Sequence, residues 1–156
     1  MGTLIRSFDE SDLAWAEELI GTHFGGRLQA RLGSLVDALA CPGLVAEHDG
    51  ERVGIVTFDV DDGDVEIVYL EVTTSRANVG TALLDAVQER TGARRLWLVT
   101  TNDNLDALRF YQRRGFRISE IRIGAVEAAR RSLKPSIPET GRHGIPIRDE
   151  IVLTTL

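Results

Sequence analysis

One cysteine, Cys41, in 156 residues leaves no partner for an intramolecular disulfide and excludes a cysteine-built zinc site. With no histidine near it in sequence, Cys41 is expected to be a small buried hydrophobe, not a nucleophile. Aromatic residues make up only 6% of the chain, so the core has to be built from aliphatic side chains. Basic residues are outnumbered: 18 Lys and Arg stand against 24 Asp and Glu, for a formal net charge of −6. That balance argues against a nucleic-acid module and against a basic membrane-surface protein, both of which need a positive face. No window approaches the ~20 apolar residues of a membrane-spanning helix, and the opening MGTLIRSFDE lacks the apolar run of a signal peptide. His23, His48 and His143 have no metal-ligand spacing, so no metal site is expected. Neither a Walker phosphate loop nor G-x-G-x-x-G occurs, which removes those nucleotide folds. The expectation is one soluble, cytoplasmic domain over residues 1–156, whose 43% hydrophobic residues suffice for a core.

The order of elements is legible from periodicity and turn chemistry. Residues 4–8 have the pattern of a strand, and Asp9 can cap a helix in which Leu13, Ala16, Leu19 and Ile20 fall at helical spacing, with Gly21 as its stop. A second helix is expected over 27–39, with Leu28, Leu32, Leu35, Val36 and Leu39 on one stripe. Strands at 44–47, 53–60 and 65–72 follow, joined by Asp49-Gly50 and Asp62-Gly63, strong hairpin signals. Then the rhythm changes. A helix at 81–90, a strand at 95–100, a helix at 105–114 closed by Gly115 and a strand at 116–123 lead to an extra helix at 125–133. A loop bearing Pro and Gly precedes a last strand at 147–156. Meander followed by crossovers implies an α/β fold: a mixed sheet flanked by helices, parallel where 65–72 meets 95–100.

Charge is unevenly spread. Residues 45–75 hold nine acidic side chains and one basic one, Arg52, whereas residues 90–134 hold eleven basic and four acidic ones. Such a bipolar chain can handle an anion at one end and a cation near the other, although two solvated faces would show the same pattern.

Two segments carry chemistry. In L-E-V-T-T-S-R-A-N-V-G-T-A-L-L, residues 70–84, a strand runs through a loop of small residues into a helix, whose first N–H groups form a ready phosphate site. Asn78 there is the non-glycine type most at ease with positive φ. In N-D-N-L-D-A-L-R-F-Y-Q-R-R-G-F, residues 102–116, Asn104, Ala107 and Tyr111 stand at i, i+3 and i+7 on one helical face. Together the segments resemble the GNAT superfamily of acyl-CoA-dependent N-acyltransferases. The first is similar to its [QR]-x-x-G-x-[GA] pyrophosphate signature, with Ser75 and Asn78 in place of the usual Gln or Arg and first Gly. The second is similar to its N-x-x-A-x-x-x-Y…G-F motif.

The resemblance implies acetyl-CoA as co-substrate, no metal, and transfer of acetyl to a primary amine by direct attack in a ternary complex. It implies that backbone groups of Leu70 and Val72 pair with the pantetheine arm, and that the N–H groups of Arg76, Ala77, Asn78, Val79, Gly80 and Thr81 hold the pyrophosphate. It also implies that Asn104 binds the pantetheine, that Tyr111 protonates the departing thiolate, and that Glu66 is the base. Glu71 is the rival base, placed on the opposite face of the strand by simple alternation. A non-catalytic acyl-CoA-binding sensor or partner module is the alternative function. The insert at 125–148 is expected to meet a small amine, a peptide N-terminus or a second subunit in a homodimer.

Overall fold

The structure is a computed structural model that describes residues 2–75 and 78–155. The chain divides into two compact units, Met1–Arg27 with Asp37–Leu96, and Leu28–Val36 with Trp97–Leu156.

In the first unit, β1 (Thr3–Ser7) leads to a capping box: Asp9 accepts from the Ser11 amide at 2.8 Å and Asp12 accepts from the Asp9 amide at 2.9 Å. A single 3₁₀ turn, Glu10–Asp12, then opens α1 (Leu13–Phe24). Gly21 does not stop this helix. An interior glycine costs only about 1 kcal/mol, whereas Gly25, at φ 73°, supplies the left-handed cap that ends it. The Asp12 carboxylate is fully buried, held by Arg6 at 2.7 and 2.8 Å and by Arg52 at 2.8 Å.

The helix expected over 27–39 is instead a hairpin of β2 (Leu28–Arg31) and β3 (Ser34–Asp37). Leu32 and Gly33, at φ 49° and 79°, form the two positive-φ positions of a two-residue turn. The leucine spacing misled because Leu28 and Leu35, assigned to a buried stripe, are both exposed.

The expected meander is present: β4 (Gly43–His48), β5 (Glu51–Asp61) and β6 (Asp64–Val72) are antiparallel neighbours, and β1 pairs with β4. Asp49-Gly50 and Asp62-Gly63 turn with both residues at positive φ, as their sequence demands. Helix α2 (Val79–Thr91) buries Val79, Leu83, Leu84 and Val87 against these strands. A separate cluster joins Ala16 and Ile20 of α1 to Ala38, Leu39, Ile55 and Tyr69.

The second unit contains β7 (Arg95–Thr101), α3 (Leu105–Arg113), β8 (Arg117–Arg122), α4 (Ala125–Ser132) and β9 (Glu150–Thr154). The last strand is central to its group, antiparallel to β7 on one side and β8 on the other. The extra helix and loop precede it as expected, and the loop is firmly tied. Arg130 donates to the carbonyls of Ile137, Pro138 and Ile147 at 2.8–3.0 Å. Buried Asp103 accepts from the Arg142 amide at 2.9 Å, and Asn102 accepts from the Arg148 and Asp149 amides. A Cβ on Gly141 would lie 2.7 Å from Ile147 and closer still to Asp103, so only glycine fits there. Among the described residues no helix is long and apolar enough to cross a membrane.

Candidate active site

Strand β6 is not regular, and the irregularity decides which way its acids face. Thr57 pairs with Tyr69 but Phe58 pairs with Ile67, so β5 runs straight while β6 carries one extra residue, Val68. Such a bulge shifts the alternation of side chains by one. Glu66, Tyr69 and Glu71 therefore stand opposite Asp59, Thr57 and Ile55, three alternate residues of one strand, and share a face. The expectation that Glu66 and Glu71 point to opposite faces is corrected: unbroken alternation was the wrong premise. Tyr69 and Ile55 place that face against α1.

Glu66 is 4% exposed, a buried carboxyl and not surface decoration. Tyr69 is equally buried, and its hydroxyl donates to Glu71 at 2.7 Å. Burial and the adjacent Glu71 push that phenol far above its ordinary range, so it stays protonated. The other Glu71 oxygen meets His23 Nδ1, in the last turn of α1. Sequence reasoning missed His23. Forty-eight residues separate it from Glu71, and no local pattern links the two.

Leu70 and Val72 lie on the alternate face, opposite Val56 and Gly54. A Cβ on Gly54 would come within 3.0 Å of Leu83 and 3.2 Å of Val79, so the glycine lets α2 seat closely on β5. Gly54→Val should therefore push the first turn of α2 outward and cost about 1–3 kcal/mol of overpacking. Denaturant melts would measure it; an unchanged midpoint would mean that α2 yields without cost.

Arg76 and Ala77 lie outside the described residues. Asn78 precedes α2 at φ 69°, the left-handed conformation its type suggested. Asn78 makes no side-chain cap to this helix, and no acid occupies its first turn. Val79, Gly80 and Thr81 form the first turn of the helix, at the end that carries its partial positive charge. Asn78→Gly should be neutral or slightly stabilising in the same melts, because it removes a Cβ from a positive-φ site.

On α3, Asn104 is the N-cap, its side-chain oxygen accepting from the Ala107 amide at 3.2 Å. That oxygen holds the helix start, and the amide NH₂ remains as the donor Asn104 offers. Tyr111 is 7% exposed and set edge-on to Phe110 and Phe116, with ring centroids 5.0 and 5.2 Å away. Burial pushes its phenol well above the ordinary value, and Arg114 opposes this only weakly. Tyr111 is therefore a protonated phenol across the neutral range, able to give a proton and not to take one.

The acidic run of 45–75 is partly neutralised: Arg6 pairs with Glu47, and Arg94 and Arg95 with Asp64. Cys41 is half-buried, less enclosed than expected, with its thiol 3.5 Å from the Asp37 carbonyl. No group of metal-ligating side chains occurs among the described residues.

Residues 12–116 match the model of the acetyltransferase (GNAT) family. The chain is similar to the uncharacterised protein YdhI of Bacillus subtilis, 44% identical over 110 residues that span 69% of this chain and 68% of that one. Among solved structures, an IAA acetyltransferase from Bacillus cereus aligns with TM-score 0.68 and 21% identity over 99% of both chains. A GNAT acetyltransferase from Elizabethkingia anophelis with acetyl-CoA bound aligns at 0.67 and 22%, over 98% of this chain and 97% of that one. The ribosomal-protein-S18-alanine N-acetyltransferase of Escherichia coli aligns at 0.67 and 18%, over 99% and 93%. At these identities the structural matches establish the mixed α/β fold.

Proposed function

The chain belongs to the GNAT acetyltransferase family, and on that premise we propose that it transfers acetyl from acetyl-CoA directly to a primary amine, as one domain over residues 1–156. The observation that carries this reading is the acid-free N-terminus of α2, entered through left-handed Asn78, whose side chain does not cap it. Its outward N–H groups and partial positive charge suit a pyrophosphate. Arg76, Ala77, Asn78, Val79, Gly80 and Thr81 would hold that group, Leu70 and Val72 would pair with the pantetheine as an added strand, and Asn104 would bind it through its amide NH₂.

Tyr111 is the acid that protonates the thiolate as the C–S bond breaks. A base must first take a proton from the acceptor, because an ammonium has no lone pair with which to attack a thioester. Buried Glu66 is the carboxylate candidate for it. The acceptor is a cationic small-molecule or peptide amine, drawn by the acidic segment, and the reaction takes place in the cytoplasm.

Thiol release monitored with DTNB across a panel of amines tests the activity. Acetyl-CoA binding without release would favour a sensor module. Calorimetry tests the cofactor placement: Gly80→Val puts a branched side chain where phosphate must approach and should weaken CoA at least tenfold, about 1.4 kcal/mol. Binding equal to wild type would remove the pyrophosphate from this turn.

A further inference from the structure

On β6 a phenol, a carboxylate and an imidazole are joined in line. Tyr69 donates to one Glu71 oxygen at 2.7 Å, and the other Glu71 oxygen meets His23 Nδ1. We propose that His23 takes the proton from the acceptor ammonium, with Glu71 and Tyr69 as positioning residues behind it. The proposal deepens the acetyl-transfer reading and rests on it.

The connectivity comes first. An ionised carboxylate only accepts, so the nitrogen that faces Glu71 carries the hydrogen and the lone pair is left on Nε2. A carboxylate behind an imidazole also holds the ring in place and balances the imidazolium once it forms. Tyr69 fixes Glu71 in turn, since its buried hydroxyl has the carboxylate as acceptor.

Exposure rises along the chain of groups, from Tyr69 at 4% through the Glu71 side chain at 12% to the His23 side chain at 50%. A dissolved ammonium can reach the outermost member without shedding its water. Glu66, on the same face but 4% exposed, would demand that cost. Arg27, the next cation along the chain, is held by Glu17 at 2.6 Å and Asp37 at 2.8 Å. Glu71 is the acid that meets His23, and Tyr69 of β6 stands behind it in the hydrogen-bonded line.

The step balances. Nε2 takes one proton from the ammonium, and the electron pair of the broken N–H bond stays on nitrogen as the attacking lone pair. The new C–N bond replaces the C–S bond, and the thiolate leaves protonated by Tyr111. The nitrogen gives up its second surplus proton as the amide forms, and this proton restores the Tyr111 hydroxyl through solvent. The imidazolium returns its own proton to solvent.

The test uses the full chain, acetyl-CoA and two nucleophiles. Phenylethylamine is an ammonium at neutral pH and needs a base, whereas hydroxylamine is largely unprotonated and does not. In His23→Gln, kcat/KM for phenylethylamine should fall about 10²-fold while the blank-corrected hydroxylamine rate is kept. Glu71→Gln should show the same selective loss in smaller degree, with acetyl-CoA affinity intact in both. Equal loss with both nucleophiles, or no loss in His23→Gln, overturns the proposal. A selective loss in Glu66→Gln with none in His23→Gln overturns it too and moves the base to Glu66. Acetylation of neither nucleophile by the wild-type protein is a different result: it refutes the acetyl-transfer reading itself.

Discussion

Tyr111→Phe should lower kcat by roughly 10²–10³-fold and leave acetyl-CoA affinity unchanged, within the usual range for loss of a general acid. The substitution removes one hydroxyl and keeps the ring that packs edge-on to Phe110 and Phe116, so folding should survive. The magnitude follows from the leaving group. A thiol titrating near 8.5, about that of free cysteine, gives a thiolate that departs only moderately well unaided. A buried phenol whose proton is held firmly cannot act as a base at neutral pH, but it can share that proton as negative charge develops on sulfur. Steady-state kinetics with calorimetry on the same preparation separates the two quantities. Full activity in Tyr111→Phe would take the acid role from this residue.

Asp12→Ala should cost about 3 kcal/mol of stability, the lower end of what breaking a buried ion pair costs. The carboxylate is wholly buried beneath two arginines and also accepts the Asp9 amide, so its removal leaves four N–H donors without their acceptor. Arg6 and Arg52 are partly exposed and can turn to water, which keeps the loss from the upper end. For a chain of this length that corresponds to roughly 6–12 °C in Tm.

The pH dependence has a definite sign. The Arg6 hydrogen bonds hold the Asp12 carboxyl well below the usual carboxylate range against the opposing pull of burial. Its contribution is therefore complete above the unfolded value of about 3.9 and fades as pH falls below it. Wild type should lose stability on acidification more steeply than Asp12→Ala. Parallel acid melts of the two proteins would contradict the assignment.

Much of this architecture was legible where local chemistry is strong. Asp49-Gly50 and Asp62-Gly63 turn as their residue types require, and Asn78 adopts the positive φ that favours asparagine. The GNAT resemblance rested on two segments, and it is the fold that resulted.

What escaped was set by partners distant in sequence. Residues 27–39 have leucines at helical spacing, yet Leu32-Gly33 makes a hairpin turn whose sequence signal is weaker than Asn-Gly or Asp-Gly. The Val68 bulge exists only as a mismatch between β5 and β6, so the common face of Glu66 and Glu71 is invisible in either strand alone. His23 gained its place through Glu71, across two elements. Asp103 likewise holds a loop that begins some thirty residues later in the chain. Local pattern carried the elements, and register carried the site.

The central claim is tested most directly by following the acetyl group itself. Acetyl-CoA isotopically labelled in the acetyl moiety, mixed with the protein and the amine panel, is quenched and analysed by mass spectrometry for both small molecules and intact protein. The account predicts label on the amine nitrogen, free CoA in equal amount, and no label on the protein at any time. Label that stays on CoA while the protein is saturated with it, or label that passes through a protein side chain, would contradict direct acetyl transfer.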